Sequence, residues 1–329
     1  MRAAVLNEGA LEITDLPDPS PGPGDVVLRV DACGICGSDL HAIRMFASPG
    51  TVMGHEFAGE VVSTGEGVGD DVMGRRVTAR PLASCGDCPA CHSGRSDRCT
   101  AFGLIGHERP GAWAEYVAVP ARELYVAPTH AEGAIVEPLA VARRAVRRAG
   151  DISEDSVLIL GGGPVGLAVT AWARALGAGH IVVSEPDESR RQLAEQLGAT
   201  AVDPGPVGPA AAFADIAGRQ PTVVFECVGQ PGLIHDAMSL AGFEARVIVV
   251  GVCPMPDQIL PWTGLSKELD LRFAIYYGPE DFTDTIAALD QHQLEVDAFV
   301  TDEIGLDELP ARFAAMVEHA TGGKVLVRP

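Results

Sequence analysis

The middle of the chain alternates short apolar runs with amphipathic stretches. SVLIL, starting at Ser156, has the length and composition of a buried strand. A glycine-rich turn follows, then LAVTAWARALGA with helical spacing, then a second strand-like run, HIVVS, leading into Glu185. ATAVD, TVVFECVG and ARVIVVGV continue at crossover spacing, with helical GLIHDAMSLAG between the last two. Strand and helix patterns in alternation predict an α/β fold with a parallel, doubly wound sheet. The first part of the chain reads differently. A Gly/Pro-rich opening, PDPSPGPGD, precedes short strands such as VVLRV and FAGEVV, which predicts a mostly β unit.

Length agrees with two units, because 329 residues exceed what one hydrophobic core usually supports. Hydrophobic content of 47% with 21% charged residues is that of a globular protein, outside the disordered range. The net charge of −21 argues against nucleic acid as a partner, since phosphates would be repelled. Lys267 and Lys324 are the only lysines, and the arginines form no obvious patch. The start, MRAAVLNEGALEITDLPDP, lacks the apolar core of an export signal, and no run approaches the roughly 20 apolar residues of a membrane span. The cytoplasm is the expected compartment, with no membrane contact, and there thiols stay reduced.

That expectation decides how to read CGDCPACHSGRSDRC. Cys85, Cys88, Cys91 and Cys99 form C-x2-C-x2-C-x7-C on a segment rich in turn residues. Four thiolates saturate a tetrahedral zinc and leave no position for water or substrate. An iron–sulfur run of ferredoxin type would have three residues before its last cysteine and a proline after it; here there are seven, then Thr100. A closed zinc site is predicted, with His92 solvated beside it. Such a site stabilises a loop and does not catalyse, so the chemistry belongs elsewhere.

Upstream, VDACGICGSDLHAI and VMGHEFAGEVV carry Cys33, Cys36, Ser38, Asp39, His41, His55 and Glu56. Cys33 and Cys36 by themselves would pass for a C-x-x-C redox pair. Cys36 and His55 are also a plausible thiolate and imidazole for a zinc that still needs a carboxylate or water, and Glu137 stands further on in IVEPLAVARRAV. Each has a plain alternative: a buried thiol, a satisfied core histidine, a helix N-terminal acid.

Gly161-Gly162-Gly163-Pro164-Val165-Gly166 fits G-x-G-x-x-G within a complete βαβ unit, with the acid Glu185 about twenty residues beyond. Gly161 permits the tight turn, Gly163 lets the backbone approach a pyrophosphate, and Gly166 lets helix and strand pack closely. Pro164 and Val165 open the helix whose N-terminus carries the anion. Glu185 can accept hydrogen bonds from ribose hydroxyls and would repel a 2′-phosphate, which predicts NAD rather than NADP. Arg190 and Arg191 could meet such a phosphate; the reading adopted is the solvated face of DESRRQLAEQLGA, with Arg190 kept as a candidate cofactor residue. Cys227 and Cys253 lie in or beside apolar strands and read as core.

Taken in order, GICGSDLH, GHEFAGEV, the four-cysteine lobe, AEYVAVP, VEPLAV, GGGPVG, FECVG, VVGV and GKVLVRP resemble the zinc-dependent medium-chain dehydrogenases, the alcohol, polyol, butanediol and threonine dehydrogenase group. The resemblance covers nearly the whole chain. It implies a GroES-like catalytic domain (1–142, with the zinc lobe at 85–99), an inserted Rossmann domain (143–277), a returning catalytic segment (278–329) and an active site in the cleft between domains. It implies two zincs per chain and NAD. Cys36 and His55 match catalytic zinc ligands. Glu137 stands where the alcohol branch uses a second cysteine and the polyol branch a glutamate, while Glu56 matches an acid that ligates the zinc in some members and alternates with water in others, so either glutamate is a candidate inner ligand. Ser38 matches the hydroxyl that bonds the substrate oxygen, His41 the outer base of the proton relay, and Asp39 the partner of the ligand histidine. The Cys85–Cys99 lobe matches the structural zinc, and Gly251 and Val252 the backbone lining the nicotinamide.

The implied activity is zinc-assisted hydride exchange between NAD(H) and a secondary alcohol, diol or polyol and its ketone. FGLIGHERPGAW would help wall the pocket, with His107 or Trp113 touching substrate or serving the surface loop. A homodimer or homotetramer is implied by pairing of Rossmann strands between copies. Two alternatives stand beside this reading: a zinc-independent reductase of the same fold, which would not need Cys36, His55 and Glu137 together, and a non-catalytic dinucleotide-binding protein, which could lose ligands or relay.

Overall fold

The computed structural model describes residues 1–45, 48–127, 130–205, 208–319 and 322–329. A hairpin, β1 (Arg2–Asn7) and β2 (Ala10–Asp15), opens the chain. β3 (Asp25–Gly34), β4 (Glu56–Thr64) and β5 (Arg76–Ala79) follow as antiparallel neighbours, with α1 (Gly37–Met45) between the first two. The expected runs VVLRV and FAGEVV are β3 and β4. A lobe carrying β6 (Leu82–Ala83), α2 (Pro89–His92) and β7 (Gly103–Leu104) leads to β8 (Tyr116–Pro120), which pairs with β3, and β9 (Leu124–Val126), which pairs with β5.

The long helix α3 (His130–Ala149) then crosses towards the second sheet. It buries Ala134, Ile135, Leu139 and Ala142, and Trp172 Nε1 donates to Leu139 O at 2.9 Å, fixing the next helix onto it. Strands β10 (Ser156–Leu160), β11 (His180–Ser184), β12 (Thr200–Val202), β13 (Val223–Glu226), β14 (Arg246–Val249) and β15 (Asp270–Phe273) form a wholly parallel sheet in the order β12-β11-β10-β13-β14-β15. Helices α4 (Pro164–Ala175), α5 (Glu188–Gln196), α6 (Gly208–Ala217), α7 (Leu233–Leu240) and α8 (Pro261–Lys267) lie along the crossovers. Every residue of β10 is buried, as befits a strand covered on both faces. The strand order reverses direction at β10, and ligands of open α/β sheets bind outside the strand ends at such a point.

After α9 (Pro279–Asp290) the chain returns to the first sheet through β16 (Val300–Gly305), α10 (Leu309–Glu318) and β17 (Lys324–Arg328). That sheet runs β16-β17-β3-β4-β5-β9. β17 pairs antiparallel with the end of β3, Leu326 opposite Gly34 and Val327 opposite Cys33. The last strand of the chain therefore lies against the segment that leads to Cys36. No described helix is long and apolar enough to cross a membrane.

Candidate active site

Cys36 sits on the turn that starts α1. Asp39 fixes this turn: its Oδ2 accepts the Cys36 N–H at 3.0 Å, and its own N–H donates to Cys36 O at 3.1 Å. Gly54, at φ +93°, swings the chain so that His55 and Glu56 enter β4 facing Cys36; a Cβ there would meet Trp113 at 2.5 Å and Cys33 Sγ at 2.8 Å. One donor atom each from Cys36, His55 and Glu56 lies within 4.8 Å of the others. Ser38 Oγ donates to Cys36 Sγ at 3.2 Å and stands 3.4 Å from His55 Nε2. His41, one turn further along α1, is exposed. Cys33 is fully buried and lies outside this group, so the two cysteines do not act as a redox pair.

Electrostatics sharpen the cluster. Burial alone would depress His55, but the Asp39 carboxylate, 3.2 Å from Nδ1, overrides it and raises the proton affinity of the ring well above normal. Asp39 itself is held below the usual carboxylate range: burial works against this, and His55 outweighs it. Glu137 lies in the interior of α3 beside Pro138, not at a helix N-terminus. Burial pushes its carboxyl up to about 7, with Glu56 adding to the push, while His55 and a hydrogen bond from Tyr277 oppose it. Glu137 is outside the tight three-residue group but close enough to feel it.

Two neighbours crowd the cluster, and the first was not expected from the sequence. Lys324, the first residue of β17, reaches both Glu56 oxygens at 2.6 Å and donates to Ile35 O at 3.0 Å. Lysine and glutamate are each about 1% exposed or less, so the pair is fully buried. The sequence signal was present: one of only two lysines stands directly before the apolar run VLV. The second neighbour is His107, with a ring nitrogen within 4.8 Å of donor atoms on Asp39 and His55 and its ring centroid 5.7 Å from that of His55. Burial first, then the charge on His55, lowers its pKa. Trp113, by contrast, is a core residue. It is fully buried, packs edge-on against Phe313 at 5.3 Å and donates to Gly34 O.

The lobe brings all four of its cysteines together. Cys85–Cys99, Cys88–Cys91 and Cys85–Cys91 sulfurs are 3.5, 3.6 and 4.0 Å apart. A tetrahedron of thiolates about 2.3 Å from zinc has edges of about 3.8 Å, so the cage has the right size. All eight cysteines are free. Backbone N–H groups of Cys91 and Thr100 pull Cys88 down to about 6. The lobe is moored to the sheet by buried Arg80, which bonds Glu123 and donates to Ser96 at 2.7 Å, and by Ser84, which donates to Glu123 at 2.7 Å. His92 is exposed, facing Asp87 at 3.4 Å.

At the end of β10, Gly161 has φ +95°, and Gly166 packs so close to Gly161 O that no side chain fits. Gly163 caps α4, with Pro164 and then Val165 in its first turn, so free N–H groups and the helix dipole converge where a pyrophosphate would sit. Glu185, 5% exposed, accepts the Gly162 N–H at 2.7 Å and the Asp187 N–H at 2.9 Å. The arginines do not form the solvated face expected of them. Arg190 Nε donates to Gly322 O at 3.3 Å, with Nη1 4.0 Å from where a Gly163 Cβ would stand; Arg191 donates to the carbonyls of Glu185 and Pro186 at 2.8 and 2.6 Å. Arg191 turns back to the carbonyls that follow β11, and Arg190 reaches across to the turn before β17. Gly251 and Val252 follow β14, with Val252 exposed. Cys253, beyond them, lies on a loop and not in the core.

Residues 22–129 match the family described as the alcohol dehydrogenase GroES-like domain, and residues 164–291 the one described as zinc-binding dehydrogenase. A 2-dehydro-3-deoxy-L-galactonate 5-dehydrogenase of Pseudoalteromonas atlantica is 35% identical over 94% of this chain and 92% of its own length. The crystal structure of 2R,3R-butanediol dehydrogenase from Bacillus subtilis matches with a TM-score of 0.90 at 32% identity, covering 100% of this chain and 99% of that one. A protein of Sinorhizobium meliloti 1021, described as a zinc-binding dehydrogenase and bound to NADP, matches at 0.88 with 33% identity over 100% and 99%. With both family matches, full-length relatives and both cysteine-containing clusters in place, the chain belongs to the zinc-dependent medium-chain dehydrogenase family.

Proposed function

We propose that this protein is an NAD(H)-dependent dehydrogenase that interconverts a secondary alcohol, diol or polyol with its ketone at a zinc held by Cys36, His55 and a glutamate. The observation that carries this reading is the convergence of Cys36, His55, Glu56 and the Ser38 hydroxyl on one partly buried point. The donor set fits zinc, which accepts thiolate, imidazole and carboxylate, and the free side of the cluster suits an open catalytic site. Zinc and nicotinamide, when bound, supply Lewis-acid activation of an alcohol oxygen and an acceptor for its hydride. Asp39 holds His55 by Nδ1 and so leaves Nε2 for the metal. Ser38 is placed to take the proton of the alcohol, and His41, exposed beyond it, to pass that proton to solvent. Glu137 supplies the inner carboxylate, because Glu56 is held by Lys324.

Glu185 supports NAD, its buried carboxylate repelling a 2′-phosphate; Gly161, Gly163 and Gly166 shape the turn that takes the pyrophosphate, with Arg190 beside it. The same reading divides the chain at 142/143 and 277/278 and assigns the second zinc to Cys85, Cys88, Cys91 and Cys99. It places the enzyme in the cytoplasm, where those thiols stay reduced. It also makes the enzyme a homo-oligomer. β15 is an open sheet edge, and Phe273 at its end and Ile275 just beyond are exposed apolar residues on a chain of net charge −21. Incubation with NAD and a panel of secondary alcohols, vicinal diols and polyols, followed by NADH absorbance, tests the activity. Turnover that vanishes on chelation supports it; no turnover in either direction with NAD or NADP refutes it.

A further inference from the structure

Glu226 ends β13, the first strand beyond the point where the sheet reverses order. It is 1% exposed. Its Oε1 accepts the N–H of Val228 at 2.7 Å and of Gly229 at 2.8 Å, and its carbonyl accepts the N–H groups of Val250 and Gly251, both at 2.9 Å. One residue thus ties the turn after β13 to the turn after β14. Oε2 is left over: it lies 2.7 Å from where a Cβ on Gly251 would stand. Among the described residues no lysine, arginine or histidine pairs with this carboxylate, and the charged neighbour that acts on it is another acid, Asp257. Burying a carboxylate without a cation is costly, so a position that keeps one invites a functional explanation.

The fold supplies it. A doubly wound dinucleotide site has two halves. Glu185, at the end of β11 on one side of β10, marks the adenosine half. The other nucleoside must then cross to the ends of β13 and β14, over the two turns that Glu226 binds together. The contact is close: Val228, in the first turn, would meet a Cβ on Gly161 of the phosphate loop at 2.7 Å. The nicotinamide ring carries a positive charge when oxidised and none when reduced. A buried anion below its binding floor distinguishes the two states without touching either.

We propose that Glu226 sets the relative affinity for the oxidised and reduced cofactor, its unpaired carboxylate favouring the cationic ring of NAD⁺ over neutral NADH. The inference rests on the dinucleotide reading given above. Weaker retention of NADH lets reduced cofactor leave after alcohol oxidation. Asp257, partly exposed and next in line, adds to the same field.

The test is cofactor binding without substrate, at pH 8, on the zinc-loaded protein. NADH is followed by its fluorescence and NAD⁺ by calorimetry. Glu226→Gln keeps an oxygen for the N–H groups of Val228 and Gly229 and removes only the charge. It should raise the ratio Kd(NAD⁺)/Kd(NADH) about tenfold, as expected for one unit charge several ångströms away in a partly buried site. Asp257→Asn, a milder change, should move the ratio in the same direction by about two- to threefold. An equal loss of affinity for both forms, with a lowered Tm, would make Glu226 a structural tie and overturn the proposal; so would an unchanged ratio in both variants. Wild-type protein that binds neither cofactor form would overturn the dinucleotide reading itself, and this inference with it.

Discussion

The Cys85–Cys99 lobe and the Cys36–His55–Glu56 cluster belong to the same β-rich part of the chain, yet they are built from opposite materials. The lobe draws four identical ligands from one short loop, three of them partly or fully exposed. The active cluster draws thiolate, imidazole and carboxylates from a turn, a strand and a helix, and all but Cys36 are buried. Four sulfurs fill a tetrahedron and leave nothing for a substrate to displace. Three mixed ligands leave a position open. The surroundings follow the same division. The lobe is surrounded by backbone N–H donors that favour thiolates, whereas the cluster is set among buried charges, Asp39 against His55 and Lys324 against Glu56. Reactivity in this chain comes with buried charge; rigidity comes with repetition of one ligand.

Breaking the open site should have the largest effect. Cys36→Ser is expected to lower kcat/KM by a factor on the order of a thousand or more, while elemental analysis finds one zinc per chain instead of two. Retention of both zincs would show that Cys36 is no ligand. The next largest effect concerns Lys324. Lys324→Met leaves the Glu56 carboxylate buried and unpaired, which should cost about 3–5 kcal/mol in denaturant unfolding; adding Glu56→Met should restore most of it. A single variant as stable as wild type would mean that the pair does not hold this strand in place. Breaking the lobe should separate stability from chemistry. Cys99→Ser is expected to release one zinc and lower Tm by roughly 5–10 °C, with kcat per folded molecule largely kept. A collapse of kcat at unchanged Tm would assign catalysis to the wrong cluster.

The open site should also respond to pH where the closed lobe does not depend on these groups. In the metal-free protein His55 holds its proton well above the ordinary imidazole value, and Glu137 holds its own up to about 7. With the proposed ligands, zinc must displace both of these protons along with that of the Cys36 thiol, so affinity at the open site should fall as pH drops, by roughly tenfold per unit for each proton displaced. Competition with a chelator between pH 8 and 6 reads this slope. A flat profile would mean that neither group ligates.

How much of this was legible before any coordinates depends on how far apart the partners lie. The lobe was readable because its four ligands fall within one loop, and the dinucleotide turn because strand, glycines, helix and acid are consecutive. Asp39 and His55 could be paired only through family resemblance. Lys324 and Glu56 stand 268 residues apart and meet only because β17 returns to lie beside β3, a pairing no local pattern encodes. Trp113 failed for the opposite reason. An aromatic on a loop looked available to substrate, but Gly54 leaves a hollow that the indole fills. Arg190 and Arg191 looked solvated on helical spacing, and backbone carbonyls drew them in, Gly322 for the first and Glu185 and Pro186 for the second.

The most direct test of the account is to remove one zinc and watch two signals. Protein turning over a secondary alcohol or diol with NAD is titrated with a chelator while activity, bound zinc and Tm are followed together. The account predicts that the first zinc to leave, from the open Cys36–His55 site, takes all activity with it and leaves Tm nearly unchanged. Activity that persists until the second zinc leaves and the fold melts would contradict it.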